Sequence, residues 1–463
     1  MRPLVALTQA LGVICVCCFI AWELWTTDSF STSLDSVQKV VGSYSGFDKD
    51  RDEADSTAAA EAVASDSPLP TDLAAQADKD LDPELMANVT GYIDAILSPE
   101  DSSFDLLSCS HPLSHRYSYL QHPPSSSFPD TDFSNPLPIY LFALDLYNSR
   151  DRLPRLLGTL LATMRFLGPT RCVLSILEGR STDGTYEILH ALRTHLEDLG
   201  ITYHLSSNAL NPKQFSDDTG RDPYRIAALA TLRNQALAPM LEHPDDFDAG
   251  ATVLFINDVE GCPDDLLELI HQRQRLGADM TCGMDWIFNG GSFYDVWIAR
   301  TMHGEQFFEI PQDGSWDFSA NIFWNDRGTR ERWEQGRPFQ VFSCWNGAVA
   351  VGADVFVEAG VRFRGNREGE CLLGEPVHLA KDMWREGFGR IAVVPSVNWA
   401  YDDEEAKSVK AVRGTVDQWV GKGEGHADEL VEWEEEPPER IKCVVKYENP
   451  EYVAWDQKRR RRR

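Results

Sequence analysis

The fold class is indicated by one stretch near the middle of the chain, Val253-Leu254-Phe255-Ile256-Asn257-Asp258-Val259-Glu260. Its four consecutive apolar residues predict a buried β-strand that stops at a polar cluster. Open α/β sheets bind ligands beyond the carboxyl ends of their strands. A carboxylate placed there can hold a hard divalent cation whose other ligands are phosphate oxygens and water. The stretch therefore predicts either a metal and diphosphate site or an ordinary turn after a strand.

Strands and helices alternate on both sides of this stretch, between about 137 and 402. The pattern predicts further strands at 138–144, 172–177, 202–205 and 390–394, and helices at 153–166, 186–199 and 225–241. Such alternation is typical of βαβ units. We expect residues 137–402 to form a single α/β domain.

Length and charge limit the classes of function. The chain has 463 residues and a net charge of −30, so a catalytic domain with accessory segments is expected. The acidic balance argues against nucleic acid as a partner, since binding it requires a basic face. A phosphorylated substrate would have to meet local basic groups or a metal ion.

The amino terminus carries a targeting signal. Residues 4–22 are almost wholly apolar, and about 19 helical residues span a bilayer core of about 30 Å. Arg2 precedes this segment and no Lys or Arg follows until Lys39, which favours a cytosolic amino terminus. A cleaved signal peptide is the alternative, but residues 22–25 lack the small side chains of a cleavage site. We expect residues 1–26 to be a cytosolic tip and signal anchor, with the rest of the chain lumenal.

The predicted domain is flanked by segments of biased composition. Residues 27–136 are rich in Ser, Asp, Ala and Pro and predict a flexible stem, with a short helical segment at about 82–97. Within this stem, Asn88-Val89-Thr90 is a sequon for N-glycosylation. Residues 403–463 form an acidic tail with a basic end. Of ten cysteines, three lie in the apolar segment, so the remaining number is odd and predicts at least one free thiol or an intermolecular bond.

Two motifs before the central strand suit a nucleotide donor. Glu178 lies at the tip of a predicted strand, where it could accept hydrogen bonds from a nucleobase or ribose. Asp183 follows in the next turn, where it either binds the donor or caps the helix. Arg225 and Arg233 lie about two turns apart on one predicted helix. They predict a contact with a diphosphate or, alternatively, a solvated helix face.

Three later motifs suit the sugars. Asp285 and Trp286 place a carboxylate beside an aromatic ring, a pairing that fits sugar hydroxyls and the apolar sugar face. Trp345 and Asn346 lie in a turn after a strand, where backbone could approach a ligand. Glu370 could act on an acceptor hydroxyl or stabilise positive charge on the donor sugar. The structural alternatives are a core Trp at a strand end, a plain turn and a helix cap, respectively.

Taken in order, these motifs resemble the fungal capsule-associated alpha-1,3-mannosyltransferases over about 139–402. The resemblance rests on residues 146–148, 175–185, 233–234, 255–259, 282–286, 293–297, 344–347 and 395–397. It implies a GT-A type, Rossmann-like fold, GDP-mannose as donor and a single-pass type II Golgi membrane protein. It also implies an alpha-1,3 product formed with retention, on what we expect to be a mannose-containing glycan acceptor. Mn²⁺ or Mg²⁺ is the expected cofactor.

The site residues expected from the motifs and the resemblance fall into four groups. Donor-binding residues are Glu178, Asp183, Arg233 and Asn257; acceptor-binding residues are Trp286, Trp345 and Asn346; catalytic residues are Glu370 and Asp285; metal ligands are Asp258 and Glu260.

The chain departs from the family's pattern in two ways. Glu260 stands where an apolar residue is expected, and no His closely follows residues 395–397. The departures keep open a second hypothesis, that of a catalytically silent GT-A scaffold that binds a glycan or another glycosyltransferase. A donor other than GDP-mannose is the alternative within enzymes.

Overall fold

The computed structural model describes residues 80–98, 101, 103–104, 107–109, 114–121, 137–215, 222–421, 427–445 and 447–456. The predicted anchor, most of the predicted stem and the terminal arginine run lie outside these residues. Within the described part of the chain, no helix is both long and apolar enough to cross a membrane.

The main sheet has ten strands and a mixed direction. They are β1 (Tyr140–Leu146), β2 (Cys172–Glu178), β3 (Thr202–Ser207), β4 (Thr252–Ile256), β5 (Met280–Ile287), β6 (Ser292–Phe293), β7 (Arg300–Thr301), β8 (Phe339–Ser343), β9 (Ala348–Gly352) and β10 (Ile391–Trp399). The order is β3-β2-β1-β4-β9-β5-β10-β8-β7, and β6 pairs with β5. A separate hairpin is formed by β11 (Arg440–Cys443) and β12 (Glu451–Ala454).

Helices cover the sheet and its ends. They are α1 (Pro83–Met86), α2 (Thr90–Leu97), α3 (Ser114–Tyr117), α4 (Leu153–Leu167), α5 (Thr185–Asp198), α6 (Pro223–Ala236), α7 (Ala238–Glu242), α8 (Pro263–Leu276), α9 (Arg327–Glu334), α10 (Ala353–Val357), α11 (Glu375–Arg385), α12 (Asp403–Arg413) and α13 (Val416–Gly421). Apolar side chains form two large clusters, one with residues of α4, α5 and α8 and the other with residues of α6 and α11.

The first half of the sheet confirms the predicted βαβ pattern. Strands β3, β2, β1 and β4 are parallel neighbours, and every residue of β4 is buried. The predicted helix at 225–241 is divided into α6 and α7, with Pro239 in the first turn of α7. Proline fits a first turn but cannot continue a helix from within, which explains the division.

The second half of the sheet differs from that pattern. Strand β9 lies antiparallel between β4 and β5, and β8 lies antiparallel to β10. The pairing of β9 with β4 continues beyond the strand ends, because the N–H of Asn257 donates to the carbonyl of Gly347 at 2.9 Å. The turn before β9 is therefore fixed beside the polar end of β4.

The structure extends the packed domain beyond the predicted bounds of 137–402. Helices α1 and α2 confirm the predicted helical segment, and Asn88 between them is exposed; its glycosylation stays a prediction. Buried Tyr117 donates to Glu268 at 2.7 Å, so part of the predicted stem is a structural element. Residues 403–421 continue as α12 and α13, so the segment after 402 is not only a tail.

Three disulfide bonds join distant parts of the domain, Cys109–Cys262, Cys282–Cys344 and Cys371–Cys443. Two of them attach the amino-terminal and carboxyl-terminal segments to the central domain. Cys172 is a buried free thiol, which confirms the expectation drawn from the odd number of cysteines.

We predict that a chain beginning at Leu137 is much less stable than one beginning at Asp80. The shorter chain loses the Cys109–Cys262 bond, typically worth about 2–5 kcal/mol. It also leaves Glu268 buried without Arg116 and Tyr117, and removing one partner of a buried ion pair costs about 3–5 kcal/mol. Denaturant unfolding of both chains measures the difference, with Tyr117→Phe in the longer chain as the local control. Equal unfolding midpoints would contradict the role given to this segment.

Candidate functional site

A cavity of about 400 Å³ lies at the polar end of β4. Its wall includes Arg225 and Arg233 from α6, confirming that they share a helix face, and Asn257 and Asp258 after β4. The remaining lining residues include Tyr294, Asp295, Trp297, Arg300, Trp345, Leu372, Gly374, Glu375 and Tyr401. The cavity thus combines cationic, acidic and aromatic groups where α/β sheets bind ligands.

Arg233 is held by a carboxylate, an amide oxygen and two aromatic rings. Its guanidinium lies 4.4 Å from the Trp345 ring centroid and 5.0 Å from that of Phe255. Its Nε donates to Glu375 Oε1 at 2.8 Å. Its Nη2 lies 3.4 Å from Asn257 Oδ1, which also accepts from Trp345 Nε1 at 3.1 Å. Arg233, Asn257 and Trp345, named separately from the sequence, form one connected group.

Asp258 is the predicted metal ligand that reaches this cavity. Its side chain is 40% exposed and forms an ion pair with Arg152. Desolvation of its carboxyl group raises the pKa of Asp258 above the usual range, although the charge of Arg152 opposes the rise. A carboxylate in a partly exposed ion pair can exchange its partner for another positive charge at little cost.

Glu260 does not line the cavity. Its carboxylate is buried and forms a 3.1 Å ion pair with Arg155, which also pairs with Asp403. Burial raises the pKa of Glu260 to about 7, against the opposing charge of Arg155. Its Oε1 has no hydrogen-bond partner among the described residues. Metal ligation by Glu260 stays a prediction that this placement does not support.

The residues present fit a cation that takes most of its ligands from the substrate. No group of three His, Cys, Asp or Glu side chains in the described ranges is arranged to hold a metal ion. Mg²⁺ commonly uses one or two protein carboxylates together with substrate phosphates and water. Asp258 on the cavity wall meets that smaller requirement.

Two carboxyl groups, Asp285 and Asp295, lie close together beside the cavity. Asp285 accepts from the Tyr401 hydroxyl at 2.8 Å and from the N–H of Asp295 at 3.2 Å. Burial and the nearby Asp295 raise the pKa of Asp285 well above its usual range. Burial raises the pKa of Asp295 to about 6, although the N–H of Asn346 opposes this. Asp295 lines the cavity, while Asp285 lies behind Asp295 and Tyr401.

The predicted donor motif forms a tight turn after β2. The Glu178 carboxylate accepts the N–H groups of Arg180 at 2.9 Å and Ser181 at 2.6 Å, and Arg180 has a positive φ of 57°. Asp183 accepts from the N–H of Thr185 at 2.9 Å and from that of Arg150 at 3.0 Å. Both carboxylates therefore hold the backbone. Contact with a donor stays a prediction for each.

The predicted acceptor residues are divided between the cavity wall and the interior. Trp345 lines the cavity. Asn346 is buried with its amide donating to Gly283 at 2.8 Å, and its φ of 53° is positive, so it shapes the turn. Trp286 has no exposed surface, and its indole donates to Asn398 at 2.7 Å. Trp286 faces away from the cavity, and its contact with an acceptor finds no support in this geometry.

Glu370 lies outside the cavity, in a buried cluster of charges. It pairs with Arg364 at 2.7 Å and with Lys381 at 3.1 Å, and it accepts the N–H of Arg367 at 2.9 Å. Burial alone would raise the pKa of Glu370, but these donors hold it well below the usual range. The placement gives Glu370 a structural task, and its predicted catalytic role finds no support here.

Glu375 reaches the cavity that Glu370 does not. It is the first residue of α11, is 4% exposed and pairs with Arg233. The sequence contains a signal for it, because Glu375-Pro376 is typical of a first helical turn.

Asp145 in β1 is a second acidic residue near this site that the sequence analysis did not single out. Burial raises its pKa to about 7, against the charge of Arg233, with Glu375, Asp258 and Glu178 adding to the rise.

Comparisons with known proteins agree on a family. Residues 139–382 match the family model described as Cryptococcal mannosyltransferase 1. The chain is 35% identical over 317 residues to the alpha-1,3-mannosyltransferase CMT1 of Cryptococcus neoformans var. neoformans serotype D, and the match covers 66% of this chain and 67% of the relative.

Solved structures are similar at a much lower level. S. aureus TarS (residues 1–349) has 15% identity and a TM-score of 0.33, covering 62% of this chain and 66% of that one. Mannosyltransferase PcManGT of Pyrobaculum calidifontis, in complex with GDP-Man and Mn²⁺, has 13% identity and a TM-score of 0.34, covering 68% and 67%. GalNAc-T7 with UDP, GalNAc and Mn²⁺ has 13% identity and a TM-score of 0.34, covering 62% and 48%.

We predict that Glu370→Gln destabilises the fold at neutral pH. Removing its charge leaves buried Lys381 without a carboxylate partner and leaves Arg364 with Asp382 alone, and breaking a buried ion pair costs about 3–5 kcal/mol. Because the pKa of Glu370 is lowered on folding, its stabilising effect is present above the usual glutamate range near about pH 4 and is lost as the pH falls toward the lowered value. Unfolding at several pH values should show the difference from wild type shrinking below about pH 4. A constant or absent difference would refute the structural role.

Proposed function

Because the chain belongs to the Cryptococcal mannosyltransferase 1 family, we propose that it transfers mannose from GDP-mannose to a mannose-containing glycan. The proposed product is an alpha-1,3 linkage formed with retention. In this reaction the bond between the anomeric carbon and the phosphate oxygen breaks, and GDP leaves with the electron pair. The acceptor oxygen forms the new bond to the anomeric carbon, and its proton is released to the solvent.

The observation that carries the proposal is the chemistry of the cavity walls. Arg225 and Arg233 lie on one wall, Asp258 and Glu375 are also on the lining, and all four fall within the family match. We propose that the two arginines bind the donor diphosphate, because guanidinium groups favour phosphate oxygens. Since Arg233 is fixed before the donor arrives, its charge is preorganised to stabilise the leaving group.

We propose Glu375 as the carboxylate that acts on the reacting sugar. It lines the cavity and is held at 2.8 Å by Arg233, the residue proposed to bind the diphosphate. A carboxylate placed beside the donor sugar stabilises positive charge that develops at the anomeric carbon. The buried pair Asp285 and Asp295 supports the same wall by fixing Tyr401 and Asn346.

Asp258 is the proposed metal residue, with Mn²⁺ or Mg²⁺ as the cation. When bound, such an ion offsets the charge of the leaving diphosphate. Asp258 would bind this ion and orient it toward the diphosphate. The Arg152 side chain, which pairs with Asp258, is 37% exposed and could give up this contact to the ion. In this proposal, the nucleotide would be positioned by Glu178, Asp183 and Asn257.

The proposal extends to the fold type and the cell compartment. A GT-A type domain agrees with the parallel strands β3-β2-β1-β4 and the antiparallel β9 beside them. We propose a single-pass type II protein of the Golgi membrane with a lumenal catalytic domain. The three disulfide bonds support a compartment that is oxidising.

The direct test is a donor screen with the purified protein. Nucleotide sugars are offered with alpha-linked mannobiose, and products are identified by mass and linkage analysis. Mannose transfer from GDP-mannose alone is expected. Binding of GDP-mannose without transfer or hydrolysis would favour the silent scaffold instead, and transfer from another donor would overturn the assignment of the substrate.

We predict that Asp258→Asn lowers turnover by roughly 10²–10³, the usual cost of losing a preorganised electrostatic group at the reacting centre. The fold should persist, because the Asp258 side chain is 40% exposed and does not belong to a buried cluster of charges. Turnover and circular dichroism are measured over a Mn²⁺ titration and with chelator. Asp246→Asn, at an exposed site before β4, is the matched control. Wild-type turnover in the variant, or in chelator, would reject the metal assignment.

We predict that Glu375→Gln lowers kcat by roughly 10²–10³ with little change in GDP-mannose affinity. Glutamine keeps an oxygen that can accept from Arg233 but removes the charge that offsets this buried guanidinium. Some loss of stability is therefore also expected, and the melting temperature is measured to separate it from the loss of kcat. Calorimetric donor affinity and kcat are measured on one preparation. Glu386→Gln, exposed at the other end of α11, is the control. A kcat within a few-fold of wild type would leave Glu375 without a catalytic role.

A further inference from the structure

A second cavity, of about 390 Å³, lies on another part of the domain. It is formed by the end of α9, by β10, and by α12 and α13, and it shares no lining residue with the first cavity. Trp333 and Trp419 contribute aromatic surface, and Glu334, Gln418 and Arg413 contribute polar groups. Its volume lies within the range of small-ligand sites, about 300–1,000 Å³.

The Trp419 ring is fixed in place before any ligand binds. Its indole N–H donates to the Arg413 carbonyl at 2.8 Å. A Cβ atom at Gly336, where φ is 70°, would lie 2.4 Å from Trp419 Cε3. The ring therefore packs directly against the backbone at Gly336, an arrangement that only glycine permits.

Trp333 belongs to a connected aromatic and cationic stack. Arg413 lies 5.7 Å from the Trp333 ring centroid and 3.7 Å from that of Trp286, and the two rings are 6.4 Å apart. Arg413 is held by the Gly290 carbonyl at 2.6 and 2.9 Å. Burial lowers the pKa of Arg413. The guanidinium of Arg413 therefore already interacts with the two indole rings and with the Gly290 carbonyl.

The exposed polar groups of the rim are a carboxylate and an amide. Glu334 is exposed and shares a 3.1 Å ion pair with Arg330. Gln418 is exposed and accepts the N–H of Thr415 at 3.3 Å. A carboxylate on the rim disfavours a phosphate, and it accepts hydrogen bonds from hydroxyl groups well.

We propose that this cavity is a non-catalytic binding site for a pyranose unit of a glycan. The indole surfaces of Trp333 and Trp419 suit the apolar C–H face of a sugar ring. Glu334 and Gln418 suit its hydroxyl groups. The inference that the sugar is mannose rests on the proposed function, whereas the pyranose class follows from the cavity itself.

Strand β5 connects the two cavities through its alternating side chains. Asp285 bonds to Tyr401 on the wall of the first cavity. Trp286, the next residue, bonds to Asn398 on the wall of the second. The carboxylate and aromatic pair that suggested sugar binding in the sequence therefore supports two separate sites.

The test is site-resolved binding of alpha-linked mannotriose to the full chain. Indole ¹⁵N signals of Trp333 and Trp419 report the second cavity, and that of Trp345 reports the first. We expect the Trp333 and Trp419 signals to shift on titration with mannotriose, with no nucleotide present. Unmoved signals at saturating sugar would overturn the proposal. The result is independent of transfer, so failure of either proposal is recognised separately.

Variants test the same site by affinity. Glu334→Ala combined with Gln418→Ala should weaken binding at the second cavity by about tenfold, which equals about 1.4 kcal/mol. Glu331→Ala is the matched control, because Glu331 forms the same i,i+4 pair one turn earlier on α9 and lies outside the cavity. Trp419→Ala should abolish the second site, whereas Trp324→Ala, at an exposed tryptophan elsewhere, should not. Wild-type affinity in the double variant would contradict the assignment, even if Trp419→Ala failed to fold.

Discussion

The cavity depends on one buried guanidinium. Arg233 is only 11% exposed at its side chain, and an unpaired charge at such a depth would cost several kcal/mol. Glu375 supplies the opposing charge, Asn257 supplies an oxygen, and the Trp345 ring covers one face. These contacts join α6, the end of β4, the turn before β9 and the start of α11. Arg233 therefore ties these four segments together at the cavity.

The local part of the fold could be predicted, and the non-local part could not. The apolar run of β4 and the periodicity of α4 and α5 are properties of neighbouring residues, and the structure has these elements within a few residues of their predicted bounds. The insertion of β9 between β4 and β5 depends on partners far along the chain. Nothing in the sequence of the five residues Ala348–Gly352 indicates which strands they pair with. The packing of Tyr117 on Glu268 was hidden for the same reason.

Residues of the site could be predicted from the sequence where they directly follow a strand. Asn257 and Asp258 follow β4 directly and reach the cavity, and Arg233 reaches it because it shares a helix face with Arg225. The catalytic role of Glu370 stays a prediction, and the structure places Glu375, the first residue of α11, on the cavity wall instead. Which of these two acids reaches the cavity depends on the path of the backbone between them, and sequence spacing does not fix that path. The family resemblance named from the motifs is confirmed, whereas the roles of individual residues within it stay predictions.

The cavity contains two kinds of charge contact, and the difference bears on catalysis. Arg233 and Glu375 are 11% and 5% exposed and held on several sides, so they keep their geometry when a ligand enters. Arg152 and Asp258 are 37% and 40% exposed, and an exposed ion pair is worth about 1 kcal/mol or less. In the proposed function, breaking that weak pair would let Asp258 accept a cation at little cost. The fixed pair would therefore provide preorganisation in that function, and the weak pair would provide the capacity to bind and release a charged substrate.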